Sequence, residues 1–348
     1  MKRVILTLIF AAASFFGGYY FFYLSDQVVR DISGNFSKAD YIGSFPSDND
    51  PVYIGNVIKT VADYDYLYLL DQQQHSVLKY DYDGNFVSRI GTPGRGPGEL
   101  VMPLGISLDE SYLYTFEQDK MQIQKFSHGG EYRGVYLLFG AFEDVIVNGS
   151  DIWMVNHYFR GMPNFSDMPG MGDQAVFTIF NRSDSTFHST GQYPEIYDQL
   201  NWQKGGVFVT EFENNIYTVF PRLPLVHVYN GITKELERII PLRSEILDQQ
   251  QDLLLDGQSP DIVFRGISIN ETGLFLPVFG DDMYIYHFDF EGNLTSVLDF
   301  GSFYDREDSD HYIRHLDTVY DPGTNTLRLF THIFSWDNPR TVIVDVTL

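Results

Sequence analysis

The sequence predicts an all-β fold: a six-bladed β-propeller closed by an N-terminal strand and preceded by one N-terminal hydrophobic helix. Three observations predict it. A strand–loop–strand–turn signature recurs six times, with third-strand anchors at Tyr80, Phe126, Phe180, Tyr229, Phe288 and Val344, spaced 46, 54, 49, 59 and 56 residues apart. Its turns read Asp-Gly or Glu-Gly between alternating aromatic and polar residues, the pattern of a tight β-hairpin. The sixth copy stops after its third strand, and a matching strand lies upstream at residues 39–45.

The first element is a targeting segment. Lys2 and Arg3 precede 21 uncharged residues, 4–24, long enough to cross a bilayer as a helix. The basic pair ahead of it favours a cytoplasmic N-terminus and export of the remainder. Tyr19, Tyr20 and Tyr23 suit an aromatic belt at the outer interface. An uncleaved signal anchor is the preferred reading. Cleavage after the small residues Ala11, Ala12 and Ala13 is the alternative. In both readings the mature part is extracytoplasmic, anchored or secreted. Residues 25–38 form a short tether, and 39–348 form the ring.

Each repeat then reads as an antiparallel meander. Residues 66–71, Tyr-Leu-Tyr-Leu-Leu-Asp, match 112–117, Tyr-Leu-Tyr-Thr-Phe-Glu, at an offset of 46. Strands at 77–82 and 86–90 flank the Asp83-Gly84 turn, and Asp289–Asn293 repeats that turn as Asp-Phe-Glu-Gly-Asn. Residues 105–109 represent the innermost strand of a unit. Four short strands per 40–50 residues is the period of a propeller blade. An N-terminal strand completing the last blade would protect sheet edges from pairing with other chains. The one good helix signal spans 243–256, with Ser244 as N-cap. The 56 aromatic residues are expected mainly between blades, as packing.

Ile90-Gly91-Thr92-Pro93-Gly94-Arg95-Gly96-Pro97-Gly98-Glu99-Leu100, followed by Pro103-Leu104-Gly105-Ile106, resembles the inter-blade linker of NHL-repeat propellers. It is similar in particular to the six-bladed propellers of exported proteins from Bacteroidetes-like bacteria. The resemblance spans about residues 40–348. It implies a six-bladed ring and, for most such relatives, a binding or interaction role. Some NHL-like propellers are lyases or lactonases with a metal in the central channel, but no motif carries their catalytic residues onto this chain.

Composition excludes several functions. The 348 residues hold 47 Asp and Glu against 23 Lys and Arg, a formal charge of −24, which becomes −26 once Lys2 and Arg3 are set aside. That balance opposes a nucleic-acid partner, whose readers carry a basic footprint. The absence of cysteine excludes disulfides, thiol catalysis and thiolate metal sites. The Gly94-x-Gly96-x-Gly98 run lacks the following helix of a phosphate loop, so a tight linker explains it. Asp81-x-Asp83-Gly84-Asn85 lacks the layout of a calcium loop. Residues 305–311 form the densest charge cluster, a solvated acidic loop or a site for a divalent cation such as calcium.

Geometry points further than motifs. The loops between second and third strands share one face with the blade-to-blade connections, and these are the long ones, at 157–174, 191–206, 241–263 and 300–315. Long loops on a rigid scaffold concentrate function. The candidate ligand-binding residues are therefore Glu143, Arg265, Arg314 and His315 at the starts of inner strands, with His157, Arg160, Trp202 and Arg222 on adjoining loops. Four arginines in an acidic chain suggest an anionic or sugar-like ligand, against the plainer reading that each pairs with a local carboxylate. The leading expectation is a binding module for a protein, peptide or carbohydrate, without catalysis or cofactor, attached to the membrane through residues 4–24. The alternative is a metal-dependent hydrolase or lyase, with His315, Glu143, Asp144 and Asn56 among the channel ligands.

Overall fold

The computed structural model describes residues 38–46, 52–138, 140, 142–156, 175–198, 206–248, 251, 262–279, 284–300, 312–334 and 339–348. The targeting segment, most of the tether and the 305–311 cluster lie outside them. Among the described residues, no helix is long and apolar enough to cross a membrane.

Six antiparallel sheets form the blades, and a short parallel pair, Thr92–Pro93 with Glu99–Leu100, lies in the linker between blades one and two. Blade one comprises Val57–Ala62, Tyr66–Asp71, Ser76–Asp81 and Phe86–Ile90. Blade two repeats it at Pro103–Leu108, Tyr112–Glu117, Gln122–Ser127 and Tyr132–Leu137. The inner strands of blades three, four and six are Phe142–Asn148, Phe208–Phe212 and Tyr312–Asp321. All six aromatic or valine anchors fall in third strands. In the sixth sheet Lys38–Phe45 pairs antiparallel with Arg340–Thr347, from Lys38↔Thr347 to Phe45↔Thr341.

The turns show why the repeats fold alike. Gly84 and Gly292 both have φ of +85°, a left-handed conformation that a Cβ disfavours. Asp81 and Asp289 close these turns in the same way, each accepting backbone N–H bonds from the residues two and four positions on. Partial burial opposes ionisation of both, but these bonds and the Asn side chain hold them below the usual carboxylate range.

The second strands end on a repeated buried acid. Asp71 accepts the N–H groups of Gly55 and Asn56, at 2.6 and 3.1 Å. Glu117, 46 residues on, accepts that of Val101 at 2.6 Å. Each acid thereby clamps the connection entering its own blade. The glycine-rich linker is likewise satisfied internally: Gly94 N–H bonds the Leu100 carbonyl, Gly96 N–H the Glu99 carboxylate and Gly98 N–H the Gln124 amide oxygen. These donors are turned to the fold and not to a phosphate.

The core is divided into six clusters, each shared by two successive blades. Aromatics dominate the seams, as in Trp153 edge-on to Phe177 and Phe177 edge-on to Tyr229. The seam between blades six and one contains Phe45, Phe330 and Ile343 against Leu67, Leu69 and Tyr80. Ser244 caps a helical turn at residues 245–248, its hydroxyl accepting the Leu247 N–H at 3.2 Å. Ile246 and Leu247 pack into the seam of blades four and five, so that turn lies on the ring. Leu253, Leu254 and Leu255 lie outside the described residues.

Candidate functional site: the channel and its mouth

The six inner strands surround a cavity of about 440 Å³ on the ring axis, and every blade contributes lining residues. Its size falls within the range of small-ligand pockets. Irregularities mark the entrances of four of the inner strands. The ladder slips between Val57 and Lys59, Pro103 and Gly105, Phe142 and Asp144, and Ile313 and His315. The extra residues are Ile58, Leu104, Glu143 and Arg314. A bulge re-aims side chains at such points.

Blade five reaches a similar result by another route. Its inner strand is split into Val263–Phe264 and Ser268–Asn270. Pro277 on the neighbouring strand has no N–H to give the ladder. Arg265 instead donates its own N–H to the Pro277 carbonyl at 2.9 Å. Thus Glu143, Arg265 and Arg314 all sit where the inner strands lose register.

Within the cavity Lys59 of blade one reaches Asp144 of blade three, Nζ to Oδ2 at 2.5 Å. Asp144 passes over Gly105 of blade two, where a Cβ would stand 3.0 Å from Oδ1. Glu143 lies against Gly206 of blade four, where a Cβ would come within 2.0 Å of Oε2. Small residues thus leave room for two acids to lie across neighbouring blades. Burial pushes the Asp144 carboxyl upward, and the Lys59 charge opposes that shift.

Deeper on blade six, burial raises Asp317 to about 6, against a hydrogen bond from Thr60 and the charge of Lys59. Its Oδ2 is buried without a hydrogen-bond partner, as is Nε2 of His315. Both residues line the cavity. Burial, reinforced by His332, Arg314 and Lys59, depresses His315 well below the ordinary imidazole value. Burial and Arg314 bring His332 down to about 3. Both imidazoles are therefore neutral near pH 7.

At the mouth, Arg314 Nη1 bonds Oδ1 of Asn56, which also donates to Gln72. The Arg314 guanidinium stands over the Phe334 ring at 5.4 Å, and that of Arg265 over the Tyr312 ring at 5.7 Å. The two rings stack on each other, with centroids 5.2 Å apart. Burial and the charge of Arg265 together lower the pKa of Arg314.

The structure therefore brings Glu143 and His315 into the cavity lining and sets Arg265 and Arg314 next to it in sequence, each adjoining a lining residue, Gly266 and His315. Arg222 lies in the turn after Phe220 in blade four, where the neighbouring Pro221 carbonyl accepts the Phe264 N–H at 2.7 Å, next to Arg265. His157, Arg160 and Trp202 lie outside the described residues. Of the expected channel ligands for a metal, Asp144 is committed to Lys59 and Asn56 to Arg314. Among the described residues no three His, Asp or Glu side chains are grouped to hold a metal ion. Sequence reasoning missed Lys59, Asp317 and His332. Their signal was a charged or titratable residue inside an otherwise apolar strand, as in Val-Ile-Lys-Thr-Val-Ala at 57–62.

A family model described as a 6-bladed beta-propeller matches residues 47–140. The chain is a six-bladed β-propeller. Among solved structures it is similar to a protein of Bacteroides fragilis described as exported, at 12% identity and a TM-score of 0.58, covering 89% of this chain and 94% of that one. It is equally similar to a member of the duf4221 family from Bacteroides vulgatus, at 10% identity and a TM-score of 0.58, covering 89% of this chain and 98% of that one. At such identity the likeness is one of fold. No curated protein sequence matches the chain.

Proposed function

We propose that this propeller is an exported binding module that takes a ligand at the mouth of its channel and performs no catalysis. The observation that carries the reading is the cavity bounded by all six inner strands, with charged residues placed at its mouth by breaks in strand register. Ligand sites are concave, with a few convergent polar groups on a rigid frame. Residues 4–24 hold the ring at the outer side of the cytoplasmic membrane, and 25–38 tether it. The basic pair before an uncharged stretch supports that placement, as does the likeness to a protein described as exported.

The test is a thermal-shift screen of the full chain in detergent against pools of saccharides, peptides and organic acids, with Ca²⁺ and Zn²⁺ as separate arms. A ligand that binds only the native state raises its stability. Stabilisation by an organic pool, weakened by Arg314→Gln, is the expected result. Stabilisation by a metal alone would instead favour the hydrolase or lyase. No response in any arm would refute the channel as a binding site.

A further inference from the structure

The two ends of the cavity differ in what they ask of a ligand. Arg314 at the mouth has no carboxylate partner among the described residues: it contacts Asn56 and the Phe334 ring. Its charge lies close enough to Arg265 for the two to repel. A guanidinium stacked on a ring and held by one amide oxygen keeps N–H donors for a second acceptor. Carboxylates fit that planar fork with two parallel bonds.

Further along the same strand, acceptors prevail. Asp317 is three residues beyond Arg314, about 10 Å by strand rise. Its Oδ2 is a buried acceptor with no donor, and Nε2 of His315 between them is also without a partner. Leaving such atoms unsatisfied is costly, and most buried polar groups in proteins have partners. Glu143 and Asp144 line the cavity from blade three, Asp144 paired with Lys59. Hydroxyl groups would donate to the unpaired Asp317 oxygen.

We propose that the channel takes a sugar acid of one or two rings, its carboxylate on Arg314 and its hydroxyls directed to Asp317. This rests on the binding reading above and narrows it to a ligand class. The span from Arg314 to Asp317 and a volume of about 440 Å³ suit a molecule of that size. A neutral sugar would leave the guanidinium without its anion. A simple organic acid would leave Asp317 without its donor.

The experiment is calorimetric titration of the full chain in detergent with galacturonate, glucuronate and mannuronate, as monomers and dimers. Galactose, glucose and mannose serve as neutral counterparts, and acetate as the bare carboxylate. At least one uronate should bind ten-fold or more tightly than both its neutral counterpart and acetate. Arg314→Gln should abolish that preference, and Arg314→Lys should keep part of it. Asp317→Asn should weaken uronate binding several-fold without strengthening acetate. Circular dichroism of each variant reports on folding, and the wild-type selectivity stands independently of the variants. Equal affinity for neutral sugar and uronate overturns the proposal. So does a response in the pooled screen with no uronate bound, which leaves the general binding reading intact. Silence in both experiments removes both.

Discussion

Phe45 offers the sharpest test of how the ring is held together. Its side chain is 1% exposed and belongs to the seam between blades six and one. The ring lies 4.4 Å from that of Tyr80, and Cδ1 sits 3.0 Å from where a Cβ on Gly84 would project. It therefore joins the strand nearest the N-terminus to the third strand and turn of blade one. Phe45→Ala should cost about 3–5 kcal/mol, the range for deleting a buried phenylalanine. At roughly 2 °C per kcal/mol for a domain of this size, the melting temperature should fall by about 6–10 °C. Tyr41→Ala provides the control, because Tyr41 is on the same strand but 51% exposed; its effect should stay within about 0.5 kcal/mol. Urea unfolding of both variants under identical conditions reads the difference. If Phe45→Ala and Tyr41→Ala unfold together, the strand does not help to lock the ring and the reasoning fails.

Three further outcomes follow from the same physics. Lys59→Met leaves Asp144 buried without its cation and should cost about 3–5 kcal/mol, while adding Asp144→Asn should restore much of it; a single variant as stable as wild type would refute the pairing. Acid should destabilise the ring below pH 6.5. His227 and His332 have folded values of about 4 and 3, so the unfolded chain takes up protons that the native state refuses, at about 1.4 kcal/mol per pH unit per net proton. Asp317, raised to about 6, acts in the opposite sense between pH 6 and 3.8. His287 and His315, also depressed, add to the loss, while Asp144 and Glu211, also raised, oppose it; four imidazoles against three carboxyls leave a net loss on acidification, and a melting temperature that rose from pH 6.5 to 4.5 would contradict it. Gly292→Ala should harm stability more than Gly84→Ala, since both carry φ of +85° but the new Cβ at 292 would meet the Pro241 carbonyl oxygen at 2.1 Å and that at 84 only the Phe45 ring at 3.0 Å. Equal losses by urea unfolding would show that backbone strain alone decides.

Much of the ring was legible in the sequence because its repeats are built from local signals. Asp81 and Asp289 announce identical turns, and alternating aromatics announce strands, so the third-strand anchors could be placed without a structure. The site was less legible. Glu143 and Arg314 were recognised as lying near inner-strand starts, but bulges aim them, and no residue type marks a bulge reliably. The break that sets Arg265 arises from Pro277 on the neighbouring strand. Lys59 and Asp144 are 85 residues apart, so their pairing depends on ring closure and not on local pattern.

The register Lys38↔Thr347 also has a consequence in time. During synthesis the first of the described strands is partnered by the last of them, about 300 residues later. Loop closure over such a separation is among the slowest contacts a chain makes. Until Arg340–Thr347 is available, Lys38–Phe45 lacks its partner strand, and the exposed Tyr41 and Ile42 within it make it a segment that other chains can capture. Blades one to five can assemble in sequence, but the ring stays open until then. Its last step resembles the fastening of a clasp, and conditions that slow that step should increase aggregation before they lower the stability of the finished ring.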